Sequence, residues 1–402
     1  MTAALASRDV APFLTLASGA PGAHACAIDV IRDRAGFEAL RADWTALFER
    51  VARPEHVFQS YAWLACWADH FLGNRVELRV VTGRSQGRLT MVWPLALTPL
   101  PFGGARLCWM GEPVSQYGDA LVEPGPFAAT ALAEGWRAAR DCGADIALLR
   151  KTRRDANVAL LLEREAIACD LAAAPFAQFD DKADFEAVLA KRSAKARSSR
   201  RRSLRRLQET GEIAFSEARD VAATQELLRR AFDFKRAWLA KRGFYSRSIE
   251  SDATLAFFLD FAARAGEETK LLTHAILRDG DPVAVGVTLA CKNAGFGHLL
   301  THDPRCDKQG AGALLAEHVM RSSFGTTLAR YDMLAPYDAY KAEWADASVP
   351  VADYVAGLTL RGRLLARLWR SGARERLKAT LKSMPRGLGR AVWPLARRLA
   401  RG

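Results

Sequence analysis

Residues 301–320, THDPRCDKQGAGALLAEHVM, place two glycines one residue apart, directly before a run with an apolar helical face. Gly310 and Gly312 would let the backbone come close to a ligand, because glycine carries no Cβ. The first N–H groups of a helix have no partner inside the helix and attract anions such as phosphate. The segment therefore predicts either a phosphate-binding turn or a tight entry into a packed helix, since a lone GxG fits both.

The elements around this turn follow from the hydrophobic pattern. Three β-rich runs, KLLTHAIL, PVAVGVTLAC and FGHLLTH, are separated by two turn-forming stretches, which predicts an antiparallel meander over 269–302. The elements after the meander alternate in type: a helix from about Gly312, a strand at 330–334, a helix at 337–345 and a strand at 349–355. This order is typical of a mixed α/β layer.

The first half of the chain shows a similar order of elements without obvious sequence identity. Its predicted elements are helices at 36–51 and 60–72, a hairpin around Gly87, a strand ARLCWM, a helix at 127–141, a strand at 145–149 and a helix at 155–166. We interpret the chain as two copies of one architecture, joined near 172–175. The predicted organisation is a disordered N-terminus (1–27), two domains (28–173 and 174–360) and a basic helical tail (361–402).

Composition and charge fit a protein of two globular domains. The chain has 402 residues, of which 50% are hydrophobic and 26% are charged. Its net charge of +13 is concentrated at the end, because residues 361–402 contain thirteen Lys/Arg and one acid, Glu375. This tail alternates apolar residues with arginines, which predicts helices that dock on the second domain or lie on an anionic membrane surface.

The cysteines and the apolar runs indicate a cytoplasmic protein. The seven cysteines form no CxxC and lie mostly inside apolar runs, which favours reduced thiols over a disulfide framework or a zinc site. We assign no metal ligands from the sequence. The apolar run near the N-terminus is short and follows Arg8 and Asp9, which argues against a signal peptide. No run reaches the roughly 18 apolar residues that a membrane span needs.

A strongly basic segment lies between the two halves. Residues 191–211, KRSAKARSSRRRSLRRLQETG, contain nine Lys/Arg before the first acid and should form a helix that Gly211 ends. Arg201 and Arg205 are four residues apart and share one face. The segment is either a solvated helix or a surface that contacts an anionic ligand.

At this point the sequence resembles a known family. The stretch YDMLAPYDAYKAEWA (331–345), preceded by the meander and the glycine turn, resembles the GNAT acyltransferase superfamily, in its CelD-like branch related to the Fem peptidyltransferases. The stretches FEALRADWTALFERV and FQSYAWLACWADHF are similar to the N-terminal part of that branch. The resemblance covers about 28–355. It implies tandem GNAT-like domains, each a mostly antiparallel sheet flanked by helices.

The resemblance also implies a donor and the residues that bind it. GNAT enzymes hold the pyrophosphate of coenzyme A with a glycine turn, which here corresponds to Gly310, Ala311, Gly312 and Ala313. Leu300 lies in the strand that supplies backbone donors to the thioester. Asp307 departs from the family pattern, which has Gln or Arg at that position. A carboxylate beside a pyrophosphate is unfavourable unless a cation such as Lys308 or Arg305 offsets it.

Acyl transfer needs a base, an oxyanion site and an acid for the leaving thiolate. By resemblance, Tyr340 corresponds to the tyrosine that protonates the sulfur, and Lys341 to a lysine of the Fem relatives. We expect the base among His302, Asp303 and Asp332. Each has a structural alternative: Tyr340 packs on Trp344, Lys341 pairs with Asp338, His302 bonds a loop carbonyl, Asp332 orients Lys341, and Asp303 forms a turn.

The resemblance is compatible with two donors of the acyl group, acyl-CoA and aminoacyl-tRNA. In the Fem relatives, which use aminoacyl-tRNA, a basic helix near an anionic substrate corresponds to Arg201, Arg205 and Gly211. The basic tail would also suit tRNA. Because no long heptad run predicts the coiled-coil arm of such enzymes, we expect an acyl-CoA donor, acetyl-CoA among them.

The sequence-based hypothesis is a cytoplasmic acyltransferase that acts on an amine or sugar acceptor. The family resemblance implies an acceptor from envelope or exopolysaccharide synthesis. The tail (361–402) would then bind peripherally to the inner membrane. The alternatives are a tRNA-dependent aminoacyl transferase and a non-catalytic pair of GNAT folds that binds nucleic acid or membrane.

Overall fold

The computed structural model describes residues 26–370, except 74, 101–102, 180–183 and 267. The predicted disordered N-terminus and the tail beyond residue 370 therefore lie outside the described residues. The chain forms two compact units. The first unit contains the described residues of 8–52, 58–171 and 350–402, and the second unit contains 53–57 and 172–349.

The first unit combines helices with one four-stranded sheet and a further set of strands. Its helices are α1 (Arg34–Ala39), α2 (Arg41–Val51), α3 (Tyr61–Phe71), α4 (Ala128–Arg140) and α5 (Ala159–Glu165). Its strands are β1 (Ala27–Ile31), β2 (Glu77–Leu78), β3 (Val80–Ser85), β4 (Arg88–Trp93), β5 (Leu95–Pro99), β6 (Ala105–Trp109), β7 (Leu121–Val122) and β8 (Ile146–Arg153). One sheet has the order β1-β3-β4-β7. Four tryptophans of this unit are buried: Trp63, Trp67, Trp93 and Trp109.

The second unit carries one continuous sheet. Its strands are β9 (Ile167–Gln178, which starts in the first unit), β10 (Ile213–Glu217), β11 (Lys270–Arg278), β12 (Asp281–Cys291), β13 (Ala294–His302) and β14 (Arg330–Asp332). They lie in the order β10-β11-β12-β13-β14-β9. All neighbours are antiparallel except β13 and β14, which are parallel. The predicted meander is β11 to β13.

Helices cover this sheet. They are α6 (Phe185–Ala190), α7 (Ala194–Gln208), α8 (Val221–Arg242), α9 (Arg247–Glu250), α10 (Asp252–Arg264), α11 (Ala311–Phe324) and α12 (Ala339–Trp344). Strand β15 (Ala347–Gly357) leads back into the first unit, and α13 (Leu360–Arg370) follows there. Helix α11 packs on the sheet through Leu314, Leu315 and Val319, which are buried. No helix among the described residues is both long and apolar enough to cross a membrane.

Three details differ from the sequence-based expectation. Residues 172–175, predicted to join the two halves, lie inside strand β9, although the division between the units does fall at residue 172. The predicted helix at 36–51 is two helices that meet at Leu40. The basic helix ends at Gln208, with Glu209 as its C-cap, before Gly211 is reached. The fold class, a mixed α/β chain with antiparallel and mixed sheets flanked by helices, is confirmed.

Candidate active site

The parallel strands β13 and β14 pair only at their starts. Residues 294–296 of β13 pair with Arg330–Asp332 of β14. Strand β13 then continues to His302, whereas β14 ends at Asp332. The two strands therefore diverge, and no neighbouring strand covers this edge of β13 beyond Phe296 among the described residues.

A β-bulge lies at the point of divergence. Val287 of β12 is opposite Leu299, whereas the next residue, Thr288, is opposite Gly297, so His298 is the extra residue. A bulge turns the backbone locally and is common beside active sites. Gly297 fits here because a Cβ at this position would lie 2.7 Å from the hydroxyl of Tyr331.

A narrow crevice follows the divergence. Gly297 and Leu300 line it from β13, Met320 lines it from α11, and Tyr340 and Trp344 line it from α12. Its volume is about 290 Å³, counting the space open to solvent. The lining is mostly apolar.

The glycine turn lies at the start of α11. Gly310 has a φ of 76°, in the left-handed region that glycine adopts at little cost. The backbone N–H groups of Ala311 and Gly312 have no hydrogen-bond partner among the described residues, as expected for a helix start. The N–H of Ala313 already bonds the carbonyl of Gly310 at 3.1 Å. Two amides are thus available to an anion at this corner.

Two neighbours border this corner closely. A Cβ at Gly310 would lie 2.4 Å from the Oγ of Ser203 on α7, and a Cβ at Gly312 would lie 3.1 Å from the Nδ1 of His302. Gly310, which also has a positive φ, therefore strongly favours glycine, whereas a side chain at Gly312 would need His302 to shift by a few tenths of an ångström.

The carboxylate of Asp307 is neutralised by a cation that the sequence did not indicate. Its Oδ2 accepts a hydrogen bond from Lys241 Nζ at 2.8 Å, and its Oδ1 lies 2.8 Å from His302 Nε2. The hydrogen bond from Lys241 is the main reason why the pKa of Asp307 is lowered. Arg305, expected to offset this charge, instead pairs with Asp303. The departure from the family pattern at Asp307 is therefore compensated within the second unit.

Tyr340 lies on the wall of the crevice with a protonated hydroxyl. About 47% of its surface is exposed. The surrounding protein atoms, and next the negative charge of Asp338, raise its pKa to about 12. A phenol with a raised pKa keeps its proton at neutral pH, so Tyr340 can act as a proton donor.

Lys341 and Asp332 both hold the loop that follows β14. The Nζ of Lys341 donates to the carbonyls of Leu334 and Pro336, at 2.8 and 2.9 Å. The carboxylate of Asp332, which is fully buried, accepts a hydrogen bond from the N–H of Leu334 at 2.8 Å. These contacts give both residues a role in positioning the loop, and their predicted catalytic roles stay predictions.

On the basic helix α7, Arg201 and Arg205 are exposed, and the buried arginine is their neighbour Arg200. Arg200 forms ion pairs with Glu317 of α11 and Glu343 of α12 and lies over the ring of Trp344 at 5.0 Å. Sequence reasoning missed this role. The available signal was the spacing of seven residues between Arg200 and Leu207, which puts both on the buried face.

The comparison with protein families agrees with this geometry. Residues 194–342 match the family described as acetyltransferase (GNAT) domain. This range contains the meander, the glycine turn and the first residues of α12. No curated protein matches the chain.

Solved structures resemble the chain at low sequence identity. FemX aligns with a TM-score of 0.56 at 11% identity, covering 82% of this chain and 98% of FemX. The C-terminal domain of a protein described as a lysylphosphatidylglycerol synthetase from Agrobacterium fabrum aligns with a TM-score of 0.52 at 14% identity, covering 84% and 97%. At such identities the similarity shows the fold alone.

Proposed function

Because residues 194–342 match the family described as acetyltransferase (GNAT) domain, we propose that the protein transfers an acyl group from an acyl-CoA thioester to an amine or sugar acceptor. The divergence of β13 and β14 is the observation that carries this proposal. An apolar crevice lies beside this divergence, and α11, which lines the crevice, begins with the two available amides of Ala311 and Gly312. A thioester in the crevice and a pyrophosphate at the corner match these two environments.

Different groups of this chain would perform the separate steps of acyl transfer. Backbone N–H groups of β13 beyond the bulge would stabilise the oxyanion that forms when the acceptor attacks the thioester carbon. Tyr340 would then give its proton to the leaving thiolate. His302 is held between Asp307 and Gly312, so we assign it to support of the phosphate corner instead of proton abstraction.

Exposed side chains near the C-terminal end of the described residues support binding of the protein to a membrane surface. In α13, Leu360 and Leu364 are 79% and 62% exposed, and Arg361, Arg363 and Arg367 are exposed with them. Apolar and basic residues together favour an anionic lipid surface. On this basis and on the family resemblance, we propose a glycan-precursor or similar acceptor in the cytoplasm, at the inner membrane.

A second candidate donor is aminoacyl-tRNA. The observation that favours it is the row of exposed arginines on α7, Arg201, Arg202, Arg205 and Arg206, on the helix whose Ser203 borders Gly310. Such a row would attract a phosphate backbone. Saturable tRNA binding without coenzyme A binding would select this candidate.

A charge placed at the corner tests the acyl-CoA proposal. Ala313 is exposed at the start of α11, so Ala313→Glu should fold normally, and an acid in a first helical turn is favourable. Repulsion of the pyrophosphate should nevertheless weaken coenzyme A binding about 10-fold or more, measured by calorimetry. Ala313→Gln, of the same shape, should bind like the parent. Equal affinities of the two variants, or no binding of coenzyme A to the parent, would overturn the proposal.

A further inference from the structure

Three potential metal ligands meet in the second unit, on the sheet and on α11. They are Glu217 at the end of β10, His274 in β11 and His318 in α11. One donor atom from each lies within 4.8 Å of those of the other two. Because these residues lie far apart in the sequence, no sequence motif indicates a metal site here.

His274 is a deeply buried side chain whose polar atoms are unsatisfied. It is 2% exposed, and neither of its ring nitrogens has a hydrogen-bond partner among the described residues. Its Nδ1 points towards Glu217, with 3.8 Å between Nδ1 and Oε1. Buried polar atoms are nearly always satisfied, so an unpaired imidazole at this depth calls for an explanation.

The imidazole of His274 is a suitable metal ligand. A ring nitrogen without a hydrogen-bond partner has its lone pair available, and imidazole is a common ligand of transition metals.

The other two residues are oriented by their own contacts. Glu217 lies opposite His274 in the β10–β11 register and accepts a hydrogen bond from the hydroxyl of Ser322. The Nε2 of His318 lies 3.3 Å from the carbonyl oxygen of Ser216. Metal-binding histidines usually donate their second ring N–H to a carbonyl, and metal-binding carboxylates are usually hydrogen-bonded as well.

We propose that Glu217, His274 and His318 form a binding site for a divalent transition-metal ion, with Zn²⁺ as the ion that fits best. Two imidazoles and one carboxylate are a donor set that zinc accepts, with water at the fourth position. The half-exposed side chain of Glu217 can move inwards to reach bonding distance. A bound ion would join β10, β11 and α11, the helix whose first turn carries the glycine corner.

Zinc content and thermal stability test this site on the full chain, independently of coenzyme A binding. The purified protein is stripped with a chelator, incubated with Zn²⁺, dialysed and analysed for metal, and its Tm is measured with and without Zn²⁺. Glu217→Gln keeps the size of the side chain and removes the charged ligand. Glu226→Gln is the matched control, because Glu226 is exposed on α8 and pairs only with Arg229 and Arg230 among the described residues.

The parent and Glu226→Gln should retain about one zinc per chain and show a higher Tm in its presence. Glu217→Gln and His318→Gln should bind Zn²⁺ more than about 100-fold more weakly, since losing even a supporting partner commonly costs about 10–100-fold. Circular dichroism of the metal-free variants should match that of the metal-free parent. Equal zinc content in the parent and Glu217→Gln, or no zinc-dependent rise in the Tm of the parent, would overturn the proposal.

Discussion

The ammonium group of Lys241 on α8 lies 2.8 Å from the carboxylate of Asp307 in the turn before α11. This pair explains how a carboxylate can stand beside a corner that offers amides to an anion. Without a cation at this distance, Asp307 would repel a phosphate at the N-terminus of α11.

Lys241→Met should therefore weaken coenzyme A binding by roughly 3- to 10-fold, because it exposes the charge of Asp307 to the phosphates. The double variant Lys241→Met/Asp307→Asn should restore most of the affinity, since both charges are gone. Calorimetric titration of the three proteins measures this. Failure of the double variant to recover would mean that Lys241 acts in some other way.

The same pair makes a small contribution to acid stability. The pKa of Asp307 is lowered in the folded protein, so its stabilising contribution is present above the unfolded value, about 3.9. It is lost as the pH falls through the lowered folded value. In Lys241→Met this loss should begin at a higher pH, with a change in unfolding free energy below about 1 kcal/mol because the pair is largely exposed. Urea unfolding between pH 3 and 6 measures it, and unchanged curves would contradict it.

Tyr340→Phe should lower kcat by about 10- to 100-fold with little change in KM, if the phenol protonates the leaving group. The hydroxyl titrates near 12, so the parent should lose no activity through this group up to about pH 10. Tyr337→Phe, three residues earlier, is the control and should keep full activity. A Tyr340→Phe enzyme as fast as the parent would remove Tyr340 from the mechanism.

The floor of the crevice depends on one buried hydrogen bond. Thr288 Oγ1 and Tyr331 Oη lie 2.9 Å apart, both in buried residues. Thr288→Val should lower the unfolding free energy by about 1–3 kcal/mol, because it leaves the tyrosine hydroxyl unpaired. Adding Tyr331→Phe should recover part of this loss, since no polar group is then stranded. Strictly additive losses in chemical denaturation would show that the two hydroxyls do not interact.

Neighbouring arginines on α7 should behave very differently. Arg200→Ala removes a buried guanidinium from Glu317 and Glu343 and should cost about 3–5 kcal/mol of unfolding free energy. Arg201→Ala, at an exposed position, should change it by less than about 0.5 kcal/mol. A change in tRNA or anion binding confined to Arg201→Ala and Arg205→Ala would support the predicted ligand contact. Equal destabilisation of both positions would contradict the burial of Arg200.

The sequence predicted most of the fold around the candidate site because local signals decide it. The meander has turn residues between its strands, and Asp279 and Gly280 adopt the positive φ values, 53° and 87°, that its first tight turn requires. The crevice lining through Leu300 and Tyr340 came from family resemblance. Strand β9 was not predicted because a run of alanines before Pro175 has no alternating pattern.

What the sequence did not predict depends on contacts between distant residues. Lys241 reaches Asp307 only because α8 packs beside the turn before α11. Arg200 is one of nine basic residues in its segment, and only the packing of α7 against α11 and α12 distinguishes it from the rest. The bulge at His298 is likewise a property of strand pairing, with no residue type of its own.

The ion pairs of Arg200 have a consequence for substrate size. One guanidinium joins α11 and α12, and both helices line the crevice. These ion pairs restrict how far the two helices can separate. The size of group that the crevice accepts would then depend on a residue that lines no part of it, and loosening Arg200 would be the way to broaden it.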